Sequence, residues 1–151
     1  MFETFTPRVE QVIKIARELA RDGDQEYLGT EHVVLGICRE GTGLGAKLLE
    51  TFSITEAKLH EQIAQRVRKS MEETWVFGQL PGSPNLKSAV ARAVELAREF
   101  NCTKVCTEHL LLSILKEKGS IAERCLNSLG LTFDRAHIAL TKLTAQTDDG
   151  G

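Results

Sequence analysis

The stretch GTEHVVLG at residues 29–36 returns as CTEHLLLS at residues 106–113. The two phrases lie 77 residues apart, since 106 − 29 = 77, and the same shift places Pro84 under Pro7 without a gap. Self-similarity at one fixed interval is typical of a duplicated structural unit. We therefore interpret the chain as two related halves.

Each half opens with a predicted helix. Thr6-Pro7 and Ser83-Pro84 are helix-start signals, because Ser or Thr caps a free N–H group and proline tolerates the first helical position. Apolar residues then recur at the three- and four-residue spacing of one helical face. These residues are Val9, Val12, Ile13, Ala16, Leu19 and Ala20 in the first half, and Leu86, Ala89, Val90, Ala93, Leu96 and Ala97 in the second.

The repeated phrase itself predicts a second helix in each half. We interpret Thr30 and Thr107 as the N-caps of these helices, and Gly41 and Gly119 as their ends. The residues in between are apolar on nearly every face, as expected for a helix at the centre of a bundle. Third helices follow, and fourth helices are predicted to begin at Thr55 and Thr132.

The sum of these elements is an all-α fold. Alternating β-branched runs, the signal for strands, do not compete with the helical pattern. We predict a tandem repeat of two four-helix units, about eight helices in all, related by a pseudo-twofold axis. The expected single domain spans 1–151, with repeat one at about 2–70, a linker at about 71–82 and repeat two at about 83–147.

The linker, MEETWVFGQLPG, has no helical period but contains the apolar run Trp75-Val76-Phe77. A solvated tether does not need such residues. We favour the interpretation that they pack in the seam between the two halves; the alternative is an exposed patch for a partner protein.

The composition limits the classes of partner and the cellular compartment that the sequence predicts. With 19 Lys and Arg against 21 Asp and Glu, the net charge of −2 gives no reason to expect a nucleic-acid or anionic-membrane partner. No apolar run approaches the roughly 18 residues that span a bilayer, and the opening lacks a signal-peptide pattern, so we expect a cytoplasmic protein. Its four cysteines are then expected to stay reduced: Cys38, Cys102, Cys106 and Cys125.

The Thr-Glu-His triplets are the first candidate sites. Glu31 and Glu108 fall in the first turn of a helix, where the helix dipole favours a carboxylate. If a second helix start lies close to each glutamate, the free N–H groups could hold an anion while the carboxylate holds a cation. We interpret His32 and His109 as structural residues whose ring nitrogens bond a nearby loop or helix end.

The chain closely resembles the N-terminal domain of Clp-type ATPases, near the ClpC branch, over its whole length. The resemblance is carried by FTPRVEQVIKIARELA at 5–20, YLGTEHVVLGICREGTGLGAKLLE at 27–50 and TEHLLLSILKE at 107–117. It implies an all-helical tandem repeat that recruits adaptor proteins and substrates to an unfoldase ring feeding a protease. The isolated domain is then expected to be monomeric.

The resemblance also implies a ligand, phosphoarginine on tagged proteins. Carried over residue by residue, it assigns Thr6 and Glu31 to a site in the first repeat, and Ser83 and Glu108 to a site in the second. The second repeat departs from the family pattern, because Cys106 stands where glycine is usual.

We expect no enzyme activity and no cofactor. The nearest approach to a phosphate loop, Gly41 to Lys47, is followed by Leu48 rather than by a hydroxyl residue that could hold magnesium, and its spacing fits a helix start. Two alternatives remain open: a free-standing regulator that competes for adaptors, and a zinc or thiol enzyme.

Cys102, Cys106 and His109 are the strongest metal candidate in the sequence. Sulfur and imidazole ligands suit zinc, but a structural zinc site needs four ligands, and a C-x-x-C pair is absent. The first half has Gln25 and Gly29 in place of the two cysteines. The sequence therefore favours no metal site.

Overall fold

The structure is a computed structural model that describes residues 5–22, 28–70 and 84–146. The predicted all-α fold with eight helices is confirmed for these residues, where the β-structure consists of isolated bridge residues such as the pair Phe5 and Val105. The helices are α1 (Pro7–Asp22), α2 (Thr30–Glu40), α3 (Leu44–Thr51), α4 (Glu56–Ser70), α5 (Pro84–Glu99), α6 (Thr107–Leu115), α7 (Ile121–Ser128) and α8 (Phe133–Gln146).

The duplication is visible in the helix boundaries. Adding 77 to the bounds of α1 gives those of α5 (7 + 77 = 84 and 22 + 77 = 99), and α3 and α7 correspond in the same way (44 + 77 = 121 and 51 + 77 = 128). The starts of α2 and α6, and of α4 and α8, also differ by 77 residues. The two halves therefore share one order of helices.

Several predicted helix ends are confirmed by their hydrogen bonds. The Thr6 hydroxyl accepts the N–H of Val9 at 3.2 Å and so caps α1. Thr55 and Thr132 cap α4 and α8 in the same manner, with N···Oγ1 distances of 3.2 and 3.3 Å. Gly41, at φ 77°, ends α2 in the left-handed conformation that glycine favours.

The predicted end of α6 at Gly119 is wrong. The helix ends at Leu115, because the N–H of Lys116 bonds to the carbonyls of Leu112 and Ser113 and tightens the last turn. Gly119, at φ 85°, instead lies in the turn that leads into α7.

The two central helices carry the core. All nine residues of α6 are buried, as are residues 30–37 of α2. The halves interleave around these helices: α3 packs against α6 and α8 of the other half, and α7 packs against α2 and α4. Each central helix thus contacts elements of both repeats, so the starts of α2 and α6 lie inside the fold.

The linker lies outside the described residues, and so do Trp75, Val76 and Phe77, for which packing in the seam stays a prediction. No helix in the described part of the chain is long and apolar enough to cross a membrane.

Candidate functional site

The starts of α2 and α6 are capped differently from the sequence prediction. The N-cap residues are Gly29 and Cys106, so Thr30 and Thr107 are the first helical residues and not the caps. The histidine two residues after each threonine completes the cap. Nδ1 of His32 accepts the backbone N–H of Gly29 at 2.9 Å, and Nδ1 of His109 accepts that of Cys106 at 3.0 Å.

The structural interpretation of both histidines is therefore confirmed, and both residues are buried, with exposed fractions of 5% and 1%. Burial lowers the pKa of both imidazoles to about 4, because a charged ring in this environment would lose its water. The neutral form also keeps the lone pair on Nδ1 that each cap requires.

The two threonines bond across the repeats. The Thr107 hydroxyl accepts the N–H of Gly45 at 3.0 Å, and the Thr30 hydroxyl accepts the N–H of Ala122 at 3.4 Å. Gly45 and Ala122 are the second residues of α3 and α7, whose first N–H groups have no partner within their own helix. Each half thus supplies a hydroxyl to a helix start of the other half.

Glu31 and Glu108 are the second residues of α2 and α6, at the positive end of each helix dipole. Their exposed fractions are only 1% and 2%, and both residues already interact with other groups of the protein. The two glutamates therefore do not line an open pocket. A ligand would reach either carboxylate only if the groups packed around it moved.

The family resemblance implies that Thr6 and Glu31 share one site, but the structure separates them. The helices α1 and α2 run antiparallel: Arg8 Nε at the start of α1 donates to Thr42 Oγ1 beyond the end of α2, at 2.9 Å. Since α2 has 11 residues and a helix rises about 1.5 Å per residue, its two ends are about 15 Å apart. The structure therefore does not bring Thr6 and Glu31 together within the first repeat.

Thr6 lies beside the start of α6 instead. Its backbone N–H donates to the carbonyl of Val105 at 3.1 Å, one residue before the N-cap Cys106. This places Thr6 of the first repeat near Glu108 of the second. Under the 77-residue shift, the counterpart of Thr6 is Ser83, which lies outside the described residues.

A cluster of possible metal ligands surrounds Glu108. The Cys106 sulfur, a Glu108 carboxylate oxygen and a ring nitrogen of His109 all lie within 4.8 Å of one another, and all three residues are buried. Cys102 adjoins the cluster: burial and then the Glu108 carboxylate raise the pKa of its thiol, while a hydrogen bond with the Cys106 side chain lowers it. The structure thus brings two of the three predicted metal candidates together and places the third beside them.

Glu108 is the potential ligand that the sequence analysis missed. It was assigned to the phosphoarginine site, and the metal candidate was judged to lack a fourth ligand. The signal was available, because residues 106, 108 and 109 fall within one helical turn, where short spacing brings side chains together.

The chain is a tandem repeat of two helical units. The units interleave, and their central helices begin inside the fold. The family model described as Clp repeat (R) N-terminal domain matches the chain at residues 4–129 and 83–149. The chain belongs to this family.

Relatives with similar sequences are ATPases of the Clp family. The chain is 29% identical over 150 residues to the negative regulator of genetic competence ClpC/MecB of Bacillus subtilis, covering 99% of this chain and 18% of that protein. It is 33% identical over 149 residues to the ClpA homologue of Cyanidium caldarium, an ATP-dependent Clp protease ATP-binding subunit, covering 99% of this chain and 17% of that protein. The chain therefore spans less than a fifth of the length of these relatives.

Solved structures with the same fold include N-terminal domains of Clp proteins. The N-terminal domain of ClpD from Arabidopsis thaliana matches with a TM-score of 0.76 and 23% identity, covering 95% of this chain and 97% of that domain. A ClpV N-domain in complex with a VipB peptide matches with a TM-score of 0.68 and 13% identity, covering 93% and 89%. At these identities the likeness shows the fold.

Proposed function

We propose that this chain is a non-catalytic recognition domain that recruits adaptor proteins or substrates to a Clp-type ATPase that feeds a protease. The observation that carries the proposal is the family match, which covers residues 4–149. The chain spans only 17–18% of the length of the two relatives described above. A module of this size, without a phosphate loop in its sequence, can supply binding but not ATP hydrolysis. The ClpV N-domain that binds a VipB peptide supports the idea that this fold serves as a docking unit.

We further propose that the recognised mark is phosphoarginine. Its guanidinium would pair with the carboxylate of Glu31 or Glu108, and its phosphate would bind N–H groups at a neighbouring helix start. The position of Thr6 beside Val105 supports a composite site, in which α1 of the first repeat serves Glu108 of the second. The equivalent site would combine Ser83 with Glu31.

Burial limits the affinity of such a site. A few hydrogen bonds to charged groups contribute about 1.5–3 kcal/mol each. Association and the movement that exposes the carboxylate offset much of this gain, which leaves roughly millimolar to micromolar binding at one site. Two sites per domain and several domains on one ring would raise the apparent affinity through avidity.

The test is a titration of phosphoarginine into the protein, in which the NMR chemical shifts of the backbone amides are measured at each step. We expect saturable shifts at the starts of α2 and α6. Glu31→Gln and Glu108→Gln should each remove the shifts at one site, because the amide keeps the shape of the side chain but loses the charge that pairs with the guanidinium. Glu18→Gln, at an exposed position further along α1, is the matched control and should leave both sites unchanged.

Free arginine and inorganic phosphate complete the experiment. Each carries one half of the ligand, so each should bind more weakly than phosphoarginine. Shifts that persist in the Glu31→Gln, Glu108→Gln double variant would refute the assignment of the glutamates. A parent protein that does not respond would exclude phosphoarginine and leave recruitment through another surface.

A further inference from the structure

We propose a binding site for a thiophilic divalent cation, suited to Zn²⁺, at the start of α6, with Cys106, Glu108, Cys102 and His109 as its ligands. The proposal concerns the second repeat alone and does not depend on phosphoarginine binding.

The backbone already holds three of these residues together. The donor atoms of Cys106, Glu108 and His109 lie within 4.8 Å of one another. Tetrahedral zinc with bonds of about 2.0–2.3 Å requires ligand atoms roughly 3.3–3.8 Å apart, so the cluster needs to contract by at most about 1.5 Å (4.8 − 3.3 = 1.5). Side-chain rotation supplies such a movement without a change in the helix. Cys102, in the loop before α6, already contacts Cys106 through a side-chain hydrogen bond.

The chemistry of the set matches zinc. Thiolates and imidazole are the preferred ligands of Zn²⁺, and a carboxylate is an accepted one. Two thiolates and one carboxylate carry three negative charges, so the complex with Zn²⁺ would carry a net charge of about −1. This net charge suits the positive end of the α6 dipole, whereas an unliganded cation at this position would be repelled.

His109 can bind the metal through Nδ1 only if an existing hydrogen bond breaks. Its Nδ1 accepts the N–H of Cys106 at 3.0 Å, so coordination by that nitrogen would exchange this hydrogen bond for the bond to the metal. We therefore expect the sulfurs and the carboxylate to supply most of the affinity, with His109 as the last ligand.

The first repeat provides an internal comparison. It contains the equivalent glutamate and histidine, Glu31 and His32, at the start of α2. It has Gln25 where the second repeat has Cys102, and Gly29 where the second has Cys106. Without thiols the first repeat offers only two of the four ligands, so one ion per chain is expected.

The test is a titration of the reduced, metal-free protein with Co²⁺, followed by displacement with Zn²⁺. Thiolate coordination gives Co²⁺ a sulfur-to-metal charge-transfer absorption and the intense visible bands of a tetrahedral site. We expect these bands to saturate at one equivalent and to disappear when Zn²⁺ is added. Zn²⁺ affinity is then measured by competition with a chromogenic chelator.

The variants are chosen to keep the fold. Cys106→Ser places a favourable N-cap residue at the start of α6, and Glu108→Gln keeps the side-chain shape. Each should weaken Zn²⁺ binding by more than the roughly 10–100-fold typical of losing an outer-shell partner. Cys106→Ser should also lower the charge-transfer band by about half, because one of the two thiolates remains. Cys38→Ser on α2 is the matched control and should bind like the parent.

Three results would overturn the proposal. The first is no visible band with Co²⁺ in the reduced parent. The second is a band that survives both Cys106→Ser and Cys102→Ser. The third is a band that Cys38→Ser abolishes, because the thiolate would then belong to a different part of the molecule.

Discussion

The two repeats solve the same packing problem with different residues. In the first repeat, Gly36 of α2 lies so close to α1 that a Cβ atom would stand 2.7 Å from the carbonyl oxygen of Val12. The equivalent residues of the second repeat are Ser113 and Ala89, since 36 + 77 = 113 and 12 + 77 = 89. There the serine hydroxyl donates to the Ala89 carbonyl at 2.5 Å.

A second pair differs in the same direction. Gly45 on α3 approaches the carbonyl of Thr107, where a Cβ would lie at 3.0 Å, and its N–H reaches the Thr107 hydroxyl at 3.0 Å. Its counterpart Ala122 on α7 has a methyl group, and its N–H is 3.4 Å from the Thr30 hydroxyl. The glycine permits a closer approach and a shorter hydrogen bond. The two repeats therefore share the order of their helices. The distance between two packed helices depends on the size of the side chain at their point of contact.

The largest expected effect acts on a feature that the repeats share, the histidine caps. Folded His32 and His109 have a pKa of about 4, whereas an unfolded histidine has about 6.5. Between these values the unfolded chain binds more protons than the folded one, so the free energy of unfolding falls as the pH falls from about 6.5 to 4. The loss is up to about 3 kcal/mol for each histidine.

Denaturant unfolding between pH 7 and pH 4 measures this loss. His32→Gln and His109→Gln keep an acceptor at the third helical position, as in a capping box, but cannot be protonated. Each variant should flatten the pH dependence of the unfolding free energy by a similar amount. His60→Gln, at an exposed position, is the control; an equal flattening in that variant would contradict the assignment to the caps.

The next effect separates the repeats. Gly36→Ser copies the second repeat into the first, and we expect it to lower the free energy of unfolding by about 3 kcal/mol, because the new Cβ meets a backbone oxygen. Serine has the better helix propensity by a few tenths of a kcal/mol, so the loss would come from packing.

Ser113→Gly is the mirror variant. It removes a hydrogen bond worth about 1 kcal/mol and weakens the helix slightly, so its cost should be about 1–1.5 kcal/mol. Both costs are measured by urea denaturation of the same parent. If Gly36→Ser cost less than Ser113→Gly, the crossing of α1 and α2 would be able to relax, and the close approach would not set the geometry of the first repeat.

Much of the fold was predictable from local signals. The 77-residue shift can be read directly from the sequence. The helix starts at Thr6, Thr55 and Thr132 depend on contacts within a few residues, and the structure confirms them. The end of α6 was missed because backbone bonds at Lys116 close the helix without a glycine, and a sequence carries no mark for such an end.

The site was predicted less well, because its contacts cross the halves. The hydroxyls of Thr107 and Thr30 bond to groups 62 and 92 residues away in the sequence, and periodicity says nothing about such distances. The pairing of Thr6 with Glu31 came from the family resemblance, and periodicity could not test it. Both residues were assigned to the first repeat, whereas the antiparallel course of α1 and α2 brings Thr6 to the second.

The smallest effect tests whether these two cross-repeat bonds are equivalent. Thr→Val keeps the shape of the side chain and removes the hydroxyl, so a buried N–H at the start of α3 or α7 loses its acceptor. Thr107→Val should cost about 1.5 kcal/mol, because its bond to Gly45 is 3.0 Å long and lies in a close crossing. Thr30→Val should cost about 0.5 kcal/mol, because 3.4 Å is beyond the usual length of an N–H···O bond.

The unfolding free energies of the two variants decide the question, and Gly45→Ala refines it. If the extra methyl group pushes α3 away from α6, Thr107→Val in the Gly45→Ala background should cost less than in the parent, as expected for coupled neighbours. Equal costs for Thr107→Val and Thr30→Val in the parent would show that the 0.4 Å difference (3.4 − 3.0 = 0.4) has no energetic weight. The repeats would then differ in their α1–α2 and α5–α6 crossings but not in how they hold each other.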